Sequence, residues 1–173
     1  MSKILFVVPP YNCWGVQIIG TWPPLQLAYL GTSAEKAGYE ARIYDAMNKD
    51  RTFDDIRAEI ERFQPDVVMA FDYLPVTGAI STATVPAALK ALSLAKDVDS
   101  GITTMIGGPL PTFLYAEILT DPANRIDFVL RGEMEETAEE LLRLLAEGAS
   151  VDDVRGIAYM CDGEVVATPE RPH

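Results

Sequence analysis

A doubly wound α/β domain built on a parallel sheet is the fold this sequence predicts, and three features carry the prediction. Short unbroken apolar runs, such as Ile4 to Val8 and Val67 to Phe71, have the pattern of strands buried on both faces. Longer segments with helical spacing separate them, as parallel strands require of their crossovers. Turn residues stand at the joints: Pro9-Pro10, Pro65-Asp66 and Gly107-Gly108.

The elements follow in order. Ile4 to Val8 is the first strand, ended by Pro9-Pro10. A polar and aromatic stretch, Tyr11 to Thr21, precedes Pro23-Pro24, which opens a helix through Lys36. Proline suits a helix start because its missing N–H would have no partner there, and Gly38 supplies the stop. Ala41 to Tyr44 is the second strand, ending at Asp45. Thr52-Phe-Asp-Asp55 has capping-box form, and Ile56, Ile60 and Phe63 share one helical face. Val67 to Phe71 is the third strand, and Ile80 to Lys96 an alanine-rich helix. Thr103 to Ile106 is the fourth strand, followed by a short helix over Thr112 to Leu119. Asp127 to Leu130 is the fifth. A helix from Met134 to Glu147 presents Thr137, Leu141, Leu144 and Leu145 at helical spacing. In the tail, Ile157 to Met160 and Val165 to Ala167 flank Asp162-Gly163, a pair suited to a type I′ hairpin turn.

Right-handed βαβ crossovers then give a flavodoxin-like, or Rossmann-like, five-stranded parallel sheet with helices on both faces and a carboxyl-terminal hairpin extension. The main body is expected over 1–150, with the hairpin and the start of a linker over 151–173.

Composition narrows the function. At 173 residues, 49% hydrophobic and 23% charged, the chain is the size and make-up of one globular domain with a real core. A net charge of −12 disfavours nucleic acid and anionic lipid as partners. Cys13 and Cys161 form neither a CxxC nor a metal cluster, which fits a reducing compartment. The run after Met1 is too short for a signal peptide or a membrane span, so the cytoplasm is the expected location.

A doubly wound sheet binds ligands outside the carboxyl ends of its strands. Five loops therefore form the candidate site: Pro9 to Thr21, Asp45 to Met47, Asp72 to Thr82, Gly107 to Thr112 and Arg131 to Glu136. The first holds Pro10, Tyr11 and Asn12, and with Trp14 and the nearby Trp22 it suits a planar ligand or caps the core. Gly107-Gly108 lets either a ligand or a second backbone come close, or serves a tight turn. Arg131-Gly132-Glu133 stands before a helix whose Glu135 and Glu136 favour the positive helix end. GxGxxG and GxxxxGK[ST] phosphate cradles are both absent. His173 is the only histidine and stands at the terminus, so no Ser–His or Cys–His pair and no zinc site can be assembled. Asp72 is not a receiver-type phospho-acceptor, since Pro9-Pro10 replaces the acidic pair and Arg131 the lysine that chemistry needs.

Laid out in this order, the sequence resembles the cobalamin-binding domain at the amino end of cobalamin-dependent radical S-adenosylmethionine enzymes. Its stretches Lys3 to Tyr11, Ile19-Gly-Thr-Trp-Pro-Pro24, Tyr44-Asp-Ala-Met47, Pro65-Asp-Val-Val68, Gly107 to Tyr115 and Ile126 to Glu133 run in family order. Within that family it is most similar to the anaerobic magnesium-protoporphyrin IX monomethyl ester oxidative cyclases of bacteriochlorophyll synthesis. The classical cobalamin motif Asp-x-His-x-x-Gly is absent, as it often is in this family, its best spacing match being Pro10-x-Asn12-x-x-Gly15. A histidine that follows the double glycine in the cyclases is Leu110 here.

The resemblance implies a bound corrinoid, cobalamin, without a histidine lower ligand from the protein. The corrin lies across the strand ends, with Asp45, Arg131, Gly132 and Glu133 in the surrounding loops. The nucleotide tail passes Gly107 and Gly108, with Thr112 and the Thr77 to Thr82 loop donating hydrogen bonds and the Tyr11 to Trp22 loop packing on ring or tail. It also implies a radical domain, in the same or a partner chain, that holds an iron–sulfur cluster and S-adenosylmethionine. The chain ends about where that domain is expected to begin. The rival expectations are a radical methyltransferase module, a carrier or sensor that binds a corrinoid or porphyrin without catalysis, and a domain for another small molecule.

Overall fold

The structure, a computed structural model, describes residues 1–10, 23–47, 51–72 and 84–172. Within them run β1 (Lys3–Val8), α1 (Leu25–Lys36), β2 (Glu40–Asp45), α2 (Phe53–Phe63), β3 (Val67–Phe71), α3 (Thr84–Val98) and β4 (Thr103–Gly107). There follow α4 (Pro109–Phe113), α5 (Tyr115–Thr120), β5 (Phe128–Leu130), α6 (Glu135–Glu147), β6 (Ile157–Cys161) and β7 (Glu164–Ala167). The strands form one sheet in the order β2-β1-β3-β4-β5-β6-β7. The first five pair in parallel, while β6 and β7 add antiparallel to the β5 edge. This is the doubly wound sheet expected from the sequence, reversing direction between β1 and β3, and the hairpin extends the same sheet. None of the described helices is long and apolar enough to cross a membrane.

Local chemistry fixes the joints. Thr52 and Asp55 close a reciprocal capping box at α2: the Asp55 N–H donates to the Thr52 hydroxyl at 3.3 Å, and the Thr52 N–H to the Asp55 carboxylate at 2.8 Å. Gly38 leaves α1 at φ +89°, and the Tyr39 N–H reaches back to the Ala34 carbonyl at 3.0 Å. At the hairpin, Asp162 and Gly163 take φ +50° and +84°, the two positive values a type I′ turn needs.

The two sheet faces bury separate cores. Leu5, Val7, Val68, Ala70 and Ile106 meet Ile56, Ile60 and Phe63 of α2 and the alanine face of α3. Ile4, Phe6, Met69 and Met105 meet Leu27 and Leu30 of α1 and Leu141 and Leu142 of α6. The central strands β1 and β3 thus bury alternate residues on opposite faces, so each reads as an unbroken apolar run.

The structure revises two details. The helix expected from Thr112 to Leu119 starts earlier and is broken in two at Leu114. The fully buried stripe of α6 is Thr137, Ala138, Leu141 and Leu142, displaced from the expected Leu144 and Leu145, which are only partly buried. The described part of the alanine-rich helix begins at Thr84; residues 80–83 lie outside the described residues.

Candidate ligand site at the carboxyl ends of the strands

Register sets the floor of the site. Phe71 pairs with Gly107, and Gly107 with Leu130, so three parallel strands finish level with one another. The next residues, Asp72, Gly108 and Arg131, therefore leave the sheet side by side.

A cleft of about 310 Å³ opens over these ends. Its walls are Gln26 and Leu30 of α1, Phe71, Gly108, Pro109, Thr112 and Phe113 on one side, and Gly132 to Glu135 on the other. The volume is at the lower end for a small-molecule site. Its lining is mostly apolar, and among the described residues its charged side chains are Glu133 and Glu135. With no cation among the described lining residues, the cleft suits an apolar or amide-bearing group better than a free phosphate.

The two glycines are required by protein atoms. A Cβ on Gly107 would lie 2.3 Å from the Met134 sulfur and 3.3 Å from the Met69 methyl carbon. A Cβ on Gly108 would lie 2.9 Å from the Asp72 carbonyl oxygen and 3.0 Å from its nitrogen. Of the alternatives left open by the sequence, the close approach is by a second backbone, that of Asp72. Gly108 still lines the cleft; Gly107 does not.

Thr112 is held from both sides. Its hydroxyl donates to the Gly108 carbonyl at 2.8 Å and accepts the Gly132 N–H at 3.1 Å. Its one proton is committed, so the expected role as a donor to a ligand requires breaking the first of these bonds.

Arg131 turns away from the cleft toward the carboxyl-terminal segment. Its guanidinium donates to the Thr168 carbonyl at 3.1 Å, stands 3.6 Å from the Glu170 carboxylate and stacks 4.7 Å from the Tyr115 ring centroid. Asp45 stands at the end of β2, beyond β1, and accepts the Met47 N–H at 3.0 Å. Pro10 is half-buried after β1. Neither lines the cleft, whereas Gly132 and Glu133 do. Tyr11, Asn12, Trp22, Thr77 and Thr82 lie outside the described residues.

The sequence reading missed Gln26, Leu30, Phe71, Phe113 and Met134 as cleft residues. Gln26 and Leu30 are four apart at the start of α1, a spacing that places both on the face turned to the strand ends. That signal was available.

Asp72 was considered only as a phospho-acceptor, and its position shows another use. It is fully buried. Its carboxylate accepts the Thr84 hydroxyl and, at 3.2 Å, the Leu110 N–H. Burial pushes its pKa above the ordinary 3.8, against the opposing pull of those two hydrogen bonds. A carboxyl raised in the folded state costs stability once ionised: the cost is absent below 3.8 and grows as pH rises through the folded value. Asp72→Asn, which carries no charge, should therefore gain on the wild type as pH increases. Denaturant unfolding of both proteins between mildly acidic and neutral pH checks this; a stability difference that does not change with pH refutes it.

The match to known proteins can now be placed on this geometry. Residues 13–142 match the B12 binding domain model. The chain belongs to the B12-binding domain family. It is 38% identical to the anaerobic magnesium-protoporphyrin IX monomethyl ester cyclase of Rubrivivax gelatinosus, over 98% of this chain and 30% of that protein. It is 33% identical to an uncharacterized methyltransferase of Pyrococcus horikoshii, over 99% of this chain and 36% of that one. The chain thus spans about a third of the length of these relatives. The cobalamin-dependent S-adenosylmethionine radical enzyme OxsB, solved with aqua-cobalamin bound, shares the fold, with a TM-score of 0.74 at 17% identity over 99% of this chain and 22% of that one. The family resemblance read from the sequence holds.

Proposed function

We propose that this chain is the cobalamin-holding module of an oxygen-independent magnesium-protoporphyrin IX monomethyl ester oxidative cyclase. The observation that carries the reading is the mostly apolar, glycine-bounded cleft, with no cation among its described lining residues, at the carboxyl ends of β3 to β5 in a B12-binding family domain. An apolar wall of Leu30, Phe71, Phe113 and Met134 would pack on one ring of a corrinoid, and Gln26 with the Gly132 carbonyl would offer partners to its amides. Residues 1–150 would carry the cofactor, and 151–173 would lead toward a domain holding the iron–sulfur cluster and S-adenosylmethionine. Bound cobalamin supplies the redox or group-transfer chemistry, and these residues bind and orient it.

Incubating the protein with hydroxocobalamin and desalting it should leave stoichiometric corrinoid absorbance on the protein. A colourless protein after saturating incubation contradicts the reading. Methyl transfer is the second reading, favoured by the relative named as a methyltransferase. Combining this chain with a radical S-adenosylmethionine domain, and assaying ring closure against methyl transfer, separates the two.

A further inference from the structure

The turns after β3, β4 and β5 are tied together by side-chain hydrogen bonds that the sheet ladder does not need. Asp72, one residue past β3, accepts the Thr84 hydroxyl from the start of the described α3 and the Leu110 N–H from the first turn of α4, after β4. Its own N–H donates to the Gly107 carbonyl at 2.9 Å. Two residues beyond Leu110, Thr112 donates to Gly108 and accepts from Gly132 in the turn after β5. A fully buried carboxylate is an expensive way to fill this space, since an apolar side chain would fill it without loss of hydration. What the carboxylate adds is direction: two acceptor oxygens aimed at donors on two different elements.

We propose that Asp72 is a positioning residue for the cleft, fixing the Leu110 to Thr112 turn, and that Thr112 passes this position on to Gly132 on the opposite wall. The two walls are then preset together before a ligand arrives, which reduces the ordering cost of binding. Only the identity of the ligand rests on the cobalamin reading; the coupling between the walls does not.

Amide hydrogen exchange on the free protein tests the coupling. Asp72→Ala should speed exchange of the Leu110 and Gly132 amides by about tenfold or more relative to the β1 amides. Gly132 is decisive, because Asp72 makes no direct bond to it and reaches it only through Thr112. Asp72→Asn, whose Oδ1 can accept the Leu110 N–H while its NH2 donates to the Thr84 hydroxyl oxygen, should restore slow exchange. Ile60→Ala, a cavity in the opposite core, should not single out these two amides. If Asp72→Ala fails to fold, Thr112→Val still tests the second link and should release Gly132 while leaving Leu110 protected. Unchanged Gly132 exchange in Asp72→Ala or Thr112→Val overturns the proposal.

Hydroxocobalamin affinity forms the second arm, with a loss of about tenfold in Asp72→Ala and recovery in Asp72→Asn. Coupled exchange in a protein that binds no hydroxocobalamin strikes the cobalamin reading alone. Uncoupled exchange with unaltered affinity strikes the positioning role alone.

Discussion

Gly108→Ala should destabilise this domain severely, whatever ligand is present. Gly108 sits at φ +126° and ψ 177°, a backbone region that is essentially closed to residues with a Cβ. The added carbon also meets the Asp72 backbone at 2.9–3.0 Å, and that backbone is held in place by β3 and by the bond from the Asp72 N–H to the Gly107 carbonyl. The two penalties together amount to about 2–5 kcal/mol, which for a domain of this size lowers Tm by on the order of 10 °C. Gly107→Ala is the instructive companion. Its Cβ meets the sulfur of Met134 and the methyl carbon of Met69, the far parts of flexible side chains that can swing aside, so its loss should be smaller. Thermal unfolding of both variants tests the pair. A Gly108→Ala protein as stable as wild type, yet unable to bind cobalamin, would return this glycine to the role of ligand clearance.

The glycine pair shows where a sequence stops being legible. Two adjacent glycines after a buried strand announce a close approach, but not what approaches. Here the answer is Asp72 and Met134, residues 36 and 27 positions from their glycines and brought near only by register and crossover. The same limit hid the bonds that join the cleft walls. Asp72 to Leu110 spans 38 positions and Thr112 to Gly132 spans 20. No local periodicity records such pairs. The central strands β1 and β3, by contrast, were legible because each advertises its double burial as a run of apolar residues, and the turns because proline and glycine mark them. Arg131 illustrates a different failure. A charged residue at a strand end invites a functional reading, but the returning chain brings the Thr168 carbonyl to it from 37 positions away. The site's location was thus available from topology, whereas the partners of its polar groups were set by tertiary contacts.

If cobalamin binds as proposed, no imidazole of this chain should ligate its cobalt. His173 is the only histidine in 173 residues, and the best spacing match to the histidine of the classical cobalamin motif is Asn12. The amide side chain of asparagine lacks the basic ring nitrogen that makes imidazole a good metal ligand. Electron paramagnetic resonance of the reduced cob(II)alamin form reports directly on the axial ligand through nitrogen superhyperfine splitting of the cobalt lines. Nitrogen from the cofactor's own base can produce such splitting, so the spectrum should be compared between protein grown with natural-abundance and with ¹⁵N-labelled histidine. The expected result is two identical spectra, unchanged again in His173→Ala. A splitting pattern that changes with the isotope, and vanishes in His173→Ala, would show that the terminal histidine reaches the metal.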